Sequence, residues 1–60
     1  MKERTLKSCR EYAKEVMKKG NVLNTWNIVC YITGYEPNLK IKEVMNIVET
    51  LINENLIIHA

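Results

Sequence analysis

The sequence predicts a mainly α-helical fold, with three helices and two short extended segments in one domain over residues 1–60. Two stretches repeat apolar residues with the 3.6-residue period of a helix, and a short stretch between them is apolar nearly all round. Glycine, asparagine and proline stand between these stretches, where helices commonly end. A chain of 60 residues with 47% hydrophobic and 27% charged residues has the composition of a small folded domain.

The first helix is predicted over residues 3–19. Lysines occupy its last turn, and Gly20 can adopt the left-handed conformation that ends a helix. Residues 21–23 then form a short extended candidate. The apolar stripe of this helix comprises Leu6, Cys9, Ala13, Val16 and Met17.

The second helix is predicted to begin at Asn24 or Thr25, since either side chain can cap exposed N–H groups. We expect Gly34 to end it in the left-handed conformation, which would fold Tyr35 back onto Cys30 or Val29. Because this short helix is apolar nearly all round, it must be covered by other elements or by a partner.

The third helix is predicted over residues 39–54, with Asn38 as its cap after an extended Glu36 that precedes Pro37. Asn55 is expected to end it and to place Leu56 over Leu51. Residues 56–59 are rich in β-formers and predict a terminal strand. The stripe of the third helix comprises Ile41, Val44, Met45, Val48, Leu51 and Ile52, with Ile47 at its edge.

Few residues are suited to catalysis, so the sequence predicts a protein that is not an enzyme. Asp is absent, the single His59 is penultimate, and the single Ser8 is expected on the outer side of the first helix. Cys9 and Cys30 are predicted to be reduced core residues. Cys9, Cys30 and His59 include no two ligands close together in the sequence, so we expect no metal and no cofactor.

Apolar runs are too short to span a bilayer, and no apolar signal-type stretch follows the first residues. We therefore expect a cytoplasmic protein with no membrane partner.

The residues from 25 to 57 resemble the helix-turn-helix segment of winged-helix DNA-binding proteins. A short helix opening with Thr is followed there by paired apolar residues, a glycine, a longer recognition helix and a Leu-Ile that starts a wing strand. The chain departs from that pattern in a longer turn between the helices and in ending at Ala60 before a second wing strand. The matching positions are Thr25, Ile28, Val29, Ile32, Gly34, Val44, Val48, Leu51, Leu56 and Ile57.

The resemblance implies a helix-turn-helix core in which residues 21–23 pair with the terminal strand. The alternative is a plain three-helix bundle. It also implies a transcriptional regulator that binds duplex DNA with its third helix in the major groove. Thr25 and Asn27 would then contact the DNA backbone, because a helix N-terminus offers N–H groups to phosphate. The side chains expected to read bases are those of Asn38, Lys40, Lys42 and Asn46.

The charge of the third helix does not favour DNA binding, because the helix carries two lysines against three glutamates and DNA phosphates attract cations. Residues 1–20 carry seven cationic side chains against three glutamates, so the first helix would have to contribute. Lys14 and Lys18 are its candidate phosphate contacts.

The alternative function is a protein–protein interaction module, an adaptor or inhibitor. Its candidate interface residues are Trp26, Tyr31 and Tyr35, since aromatic residues dominate interface hot spots. We also expect a homodimer, because 60 residues bury little surface and the terminal strand leaves one edge free. The dimer would form by strand pairing through Leu56 and Ile58, or by packing around the second helix.

Overall fold

Three helices and one two-stranded sheet make up the fold. The computed structural model describes residues 3–59. Its mainly α-helical class with a small β element confirms the prediction from the sequence. The elements, in chain order, are α1 (Glu3–Lys18), β1 (Leu23–Asn24), α2 (Thr25–Tyr35), α3 (Ile41–Asn53) and β2 (Ile57–Ile58).

The two strands pair in parallel, with Leu23 opposite Ile57 and Asn24 opposite Ile58. Both α2 and α3 lie in the connection between them, since parallel strands require a long crossover. Leu23 and Ile57 point into the core, whereas Ile58 is 48% exposed. This sheet distinguishes the fold from a plain three-helix bundle.

The core lies where the three helices and the inner face of the sheet meet. α1 runs antiparallel to α2, because Arg4 reaches Glu36 while Ser8 reaches Tyr31. The buried apolar residues are Leu6, Cys9, Ala13, Leu23, Ile28, Ile32, Val44, Ile47, Val48, Leu51 and Ile57.

Three predicted helix boundaries are confirmed. Gly20 has a φ of 85° and follows α1, and Asn55 has a φ of 59° and follows α3. The Leu56 N–H donates to the Leu51 carbonyl at 3.0 Å, as expected for a left-handed helix end. α2 begins directly after its N-cap, Asn24.

The prediction that Gly34 ends the second helix is wrong. Gly34 is helical without a positive φ, and α2 continues to Tyr35. The helix ends there because Glu36 precedes Pro37, which excludes the helical conformation; Glu36 has a φ of −139° and a ψ of 81°. Tyr35 therefore stays on the helix instead of folding back onto Cys30.

The prediction that Asn38 caps the third helix is also wrong. The Leu39 N–H donates to the Glu36 carbonyl at 3.2 Å, which closes a turn with Pro37 and Asn38 at its centre. Proline is favoured at the first central position of such a turn. α3 consequently starts at Ile41, two residues later than predicted, with Lys40 as its N-cap.

The predicted helical stripes are buried only in part. Leu6, Cys9 and Ala13 of the first stripe are buried as predicted, whereas Met17 near the end of α1 is 44% exposed. In α3 the core covers one flank of the stripe, so Ile47 at its edge is fully buried while Ile41 and Met45 are 81% and 51% exposed. The prediction that Cys30 is a core residue is wrong, because it lies on the exposed side of α2.

Among the residues that the structure describes, one polar side chain is buried in the core. Thr5 is 0% exposed, and its Oγ1 has no hydrogen-bond partner within the part of the chain that the structure describes.

Candidate functional site

The most distinctive surface lies on the first two turns of α3, and we call it the outer α3 face. It consists of Ile41, Lys42, Met45 and Asn46, all exposed. Spacings of one and four residues place them in two adjacent rows on one side of the helix. The opposite side of α3 contributes the core residues Val44, Ile47, Val48 and Leu51.

The amino end of α3 carries free hydrogen-bond donors. Lys40 is the N-cap, and no side chain among residues 3–59 makes a capping bond there. The first helical bond runs from the Val44 N–H to the Lys40 carbonyl, so the earlier N–H groups of the turn remain available. Together with the positive end of the helix dipole, this favours an anion beside Lys40.

The predicted base-reading residues are brought together by the structure. Asn38 lies exposed in the turn before α3, Lys40 lies at its N-cap, and Lys42 and Asn46 lie on the outer α3 face. Sequence reasoning missed Ile41 and Met45, which share this face. The sequence did indicate that part of the α3 stripe would be exposed, because its seven apolar residues form a stripe wider than one small core can cover.

Acidic groups near this surface limit its positive charge. Glu43 is half-buried in the first turn of α3, and Glu49 is exposed one turn after Met45. Glu36 is partly neutralised by Arg4, whose Nη2 lies 3.3 Å from Oε1. Lys40 and Lys42 are therefore the cations best placed to meet an anionic partner.

The amino end of α2 is occupied by its own chain. The Asn24 side chain accepts from the Asn27 N–H at 2.8 Å, and Asn27 Oδ1 accepts from the Asn24 N–H at 3.2 Å. Thr25 Oγ1 points toward the Ile58 carbonyl at 3.5 Å. The predicted phosphate contacts Thr25 and Asn27 thus stabilise the start of α2 and its junction with the sheet.

Lys14 and Lys18 are exposed on α1. Lys14 lies close enough to Glu54 to help lower the pKa of that carboxyl, after the larger effect of its hydrogen bond to Arg10. Arg10 Nε donates to Glu54 at 2.8 Å. Lys14 therefore lies toward the carboxyl end of α3, about 20 Å along the helix from its first turn.

Tyr31 and Tyr35, predicted at a partner interface, take part in a seam between α1 and α2. Tyr31 stacks on Tyr12 with ring centroids 4.3 Å apart, and Tyr35 meets Tyr31 edge-on at 6.0 Å. The Arg4 guanidinium lies 5.7 Å from the Tyr35 ring. Ser8 lies inside this seam rather than on the outer side of α1, because its hydroxyl is 2.6 Å from that of Tyr31.

The remaining interface candidates differ in exposure. Trp26 is 69% exposed near the start of α2, one turn before the exposed Cys30. Leu56 is half-buried against the core, whereas Ile58 is 48% exposed. Trp26 and Ile58 therefore present the free apolar surface of α2 and β2.

Residues 3–59 contain no cavity and no cluster of three or more His, Cys, Asp or Glu side chains able to hold a metal. Burial raises the pKa of the Cys9 thiol to about 11, so it stays protonated. No helix in this range has the length and hydropathy to cross a bilayer.

No protein-family model matches this chain, and comparisons with curated proteins and with solved structures also gave no match.

Proposed function

We propose that this chain is a small, non-enzymatic DNA-binding protein of the cytoplasm, a transcriptional regulator that places the outer α3 face in the major groove. The supporting observation is that Lys42 and Asn46 are exposed together on the first turns of α3. An α-helix fits the major groove, where Asn46 can bind an adenine edge while Lys42 in the same row neutralises a phosphate. Lys40 and the uncapped N–H groups beside it would meet a phosphate.

The number of cations sets the strength expected of this binding. Each phosphate neutralised contributes about −0.9 to the slope of log affinity against log salt. Lys40 and Lys42 would give a slope of about −2 for one protomer and about −4 for a dimer. Because this electrostatic attraction is small, we propose that the protein binds as a homodimer.

Salt-titrated fluorescence anisotropy on a random duplex tests the function. We expect binding at low salt with this shallow slope, and Lys42→Gln should reduce the slope by about 1 per protomer. Lys19→Gln is the matched control, since Lys19 is an exposed lysine in the turn after α1. Absence of binding at about 50 mM salt would refute the proposal.

The contribution of α1 is measured in the same assay. If Lys14 and Lys18 also contact phosphate, the slope of the unmodified protein is steeper by about 2 per protomer, and a combined Lys14→Gln and Lys18→Gln variant should remove that increment. An unchanged slope would restrict the DNA contact to α3.

A protein–protein interaction module is the second candidate function, and the exposure of Trp26 favours it. Large aromatic side chains are enriched among residues that dominate interfaces.

The chain has one tryptophan, so its fluorescence reports on α2 alone. If sedimentation shows a dimer, a blue shift of the Trp26 emission with rising protein concentration places α2 in the dimer interface. Unchanged emission favours strand pairing at Ile58. A 7 kDa species at all micromolar concentrations would exclude the homodimer.

A further inference from the structure

The outer α3 face combines two kinds of side chain that differ in what they can bind. Lys42 and Asn46 form a polar row, and Ile41 and Met45 form an apolar row beside it. Among residues 3–59, Ile41 is the most exposed of the large apolar side chains, at 81%, and Met45 is 51% exposed. Phosphate binding alone would not use this apolar row, because it requires cationic groups.

The floor of the major groove offers one apolar group, the C5-methyl of thymine. Adenine, its pairing partner, offers the N7 acceptor and N6 donor that an asparagine amide can engage together. An A·T pair therefore presents a methyl group and an amide-binding edge side by side. The two rows of the outer α3 face have the same arrangement of an apolar group beside an amide.

Spacing along the helix agrees with this match. Ile41 and Met45 are four residues apart, which is about 6 Å along the axis. Successive base pairs are about 3.4 Å apart, so the apolar row spans nearly two base-pair steps. The unbranched Met45 side chain can adjust to the position of the second methyl group.

We propose that the outer α3 face selects A·T base pairs, with Ile41 and Met45 packed against thymine methyl groups and Asn46 bound to the adenine edge. This inference rests on the proposed function and specifies its substrate. Lys40 and Lys42 supply charge near the phosphates. A buried methyl group contributes about three- to fourfold to an equilibrium constant, so loss of two methyl contacts weakens binding about tenfold.

The test uses three double-stranded alternating polymers, because a uniform polymer needs no knowledge of the target sequence. Poly(dA–dT) and poly(dA–dU) differ in the major groove only by the thymine methyl groups, and poly(dG–dC) lacks both the methyl group and adenine. Anisotropy competition at low salt should show binding to poly(dA–dT) about tenfold tighter than to poly(dA–dU). Poly(dG–dC) should compete less well than poly(dA–dT).

A double variant, Ile41→Ala with Met45→Ala, assigns the preference to the apolar row. Both side chains are exposed, so the variant should keep its helical circular dichroism. It should bind poly(dA–dT) and poly(dA–dU) equally. Met17→Ala is the matched control, since it removes a 44% exposed apolar side chain from α1 and should keep the tenfold preference.

Each outcome bears on the inference. Equal affinity of the unmodified protein for the dT and dU polymers overturns the A·T selection while leaving DNA binding intact. A preference that survives the double variant overturns the role of Ile41 and Met45. Absence of binding to all three polymers overturns the inference together with the proposed function, and leaves this face to a protein partner.

Discussion

The two glycines of this chain should respond in opposite directions to the same substitution. Gly20 has a φ of 85°, whereas Gly34 lies inside α2 without a positive φ. A Cβ added at either position meets no atom within 4 Å, so steric crowding plays no part. The difference in the free energy of unfolding between Gly20→Ala and Gly34→Ala therefore depends on backbone conformation alone.

The expected magnitudes follow from these conformations. Alanine at Gly20 must adopt a left-handed conformation, which costs about 1 kcal/mol. Alanine at Gly34 replaces a poor helix former by the best one; in the last turn this should stabilise by about half of the full 1 kcal/mol difference. The free energies of unfolding should differ by about 1.5 kcal/mol, equivalent to about 6–12 °C in Tm for a domain of this size.

Thermal and urea unfolding, followed by circular dichroism at one protein concentration, measure this difference. Gly20→Asn is a useful third variant because asparagine tolerates the left-handed conformation, and it should destabilise less than Gly20→Ala. If Gly34→Ala destabilises as much as Gly20→Ala, then Gly34 also ends a helix in the left-handed conformation, and the extent of α2 described above is wrong.

Three further predictions concern a buried hydroxyl, the two thiols and an ion pair. Thr5→Val should raise the stability by about 1 kcal/mol, since it removes a buried hydroxyl without a described partner and keeps the shape of the side chain. At pH 8 a thiol reagent should modify Cys30 rapidly and Cys9 only on unfolding, because Cys9 is buried and its pKa is about 11. The hydrogen bond from Arg10 lowers the pKa of the Glu54 carboxyl, so the stabilisation by this pair is present above the ordinary carboxyl pKa and is lost as the pH falls through the lowered value. The stability difference between the unmodified chain and Glu54→Gln should accordingly shrink below about pH 4.

Controls separate these effects from general changes in the fold. Thr5→Ser keeps the hydroxyl and loses the methyl group, so it should destabilise; a lower Tm for Thr5→Val would contradict the interpretation of that site. Cys30→Ser should abolish the rapid thiol reaction, and rapid modification of two thiols would show that Cys9 is accessible. A Glu54→Gln difference that stays constant from pH 7 to pH 3 would mean that the pair with Arg10 does not stabilise the fold.

The polar residues of the candidate site could be predicted from the sequence, but its apolar residues could not. Asn38, Lys40, Lys42 and Asn46 were expected near the start of α3, and the structure places them there in exposed positions. The sequence assigned Ile41 to the core. It is 81% exposed because the core lies against the other flank of α3, which a helical period does not reveal.

The sequence by itself determined the features that depend on neighbouring residues. The three helices follow from hydrogen bonds and side-chain repeats within a few residues, and Gly20 and Asn55 end helices through their own backbone freedom. Pro37 likewise stops α2 through its effect on the residue before it, although the glycine pattern predicts that end at Gly34.

Only the tertiary structure decided which surfaces meet. The parallel pairing of β1 with β2, the stacking of Tyr12 on Tyr31 and the choice of the buried flank of α3 all join residues distant in sequence. Burial depends on which elements face each other across the core, and a one-dimensional apolar pattern does not specify that geometry. The apolar row on the outer α3 face is therefore a consequence of packing.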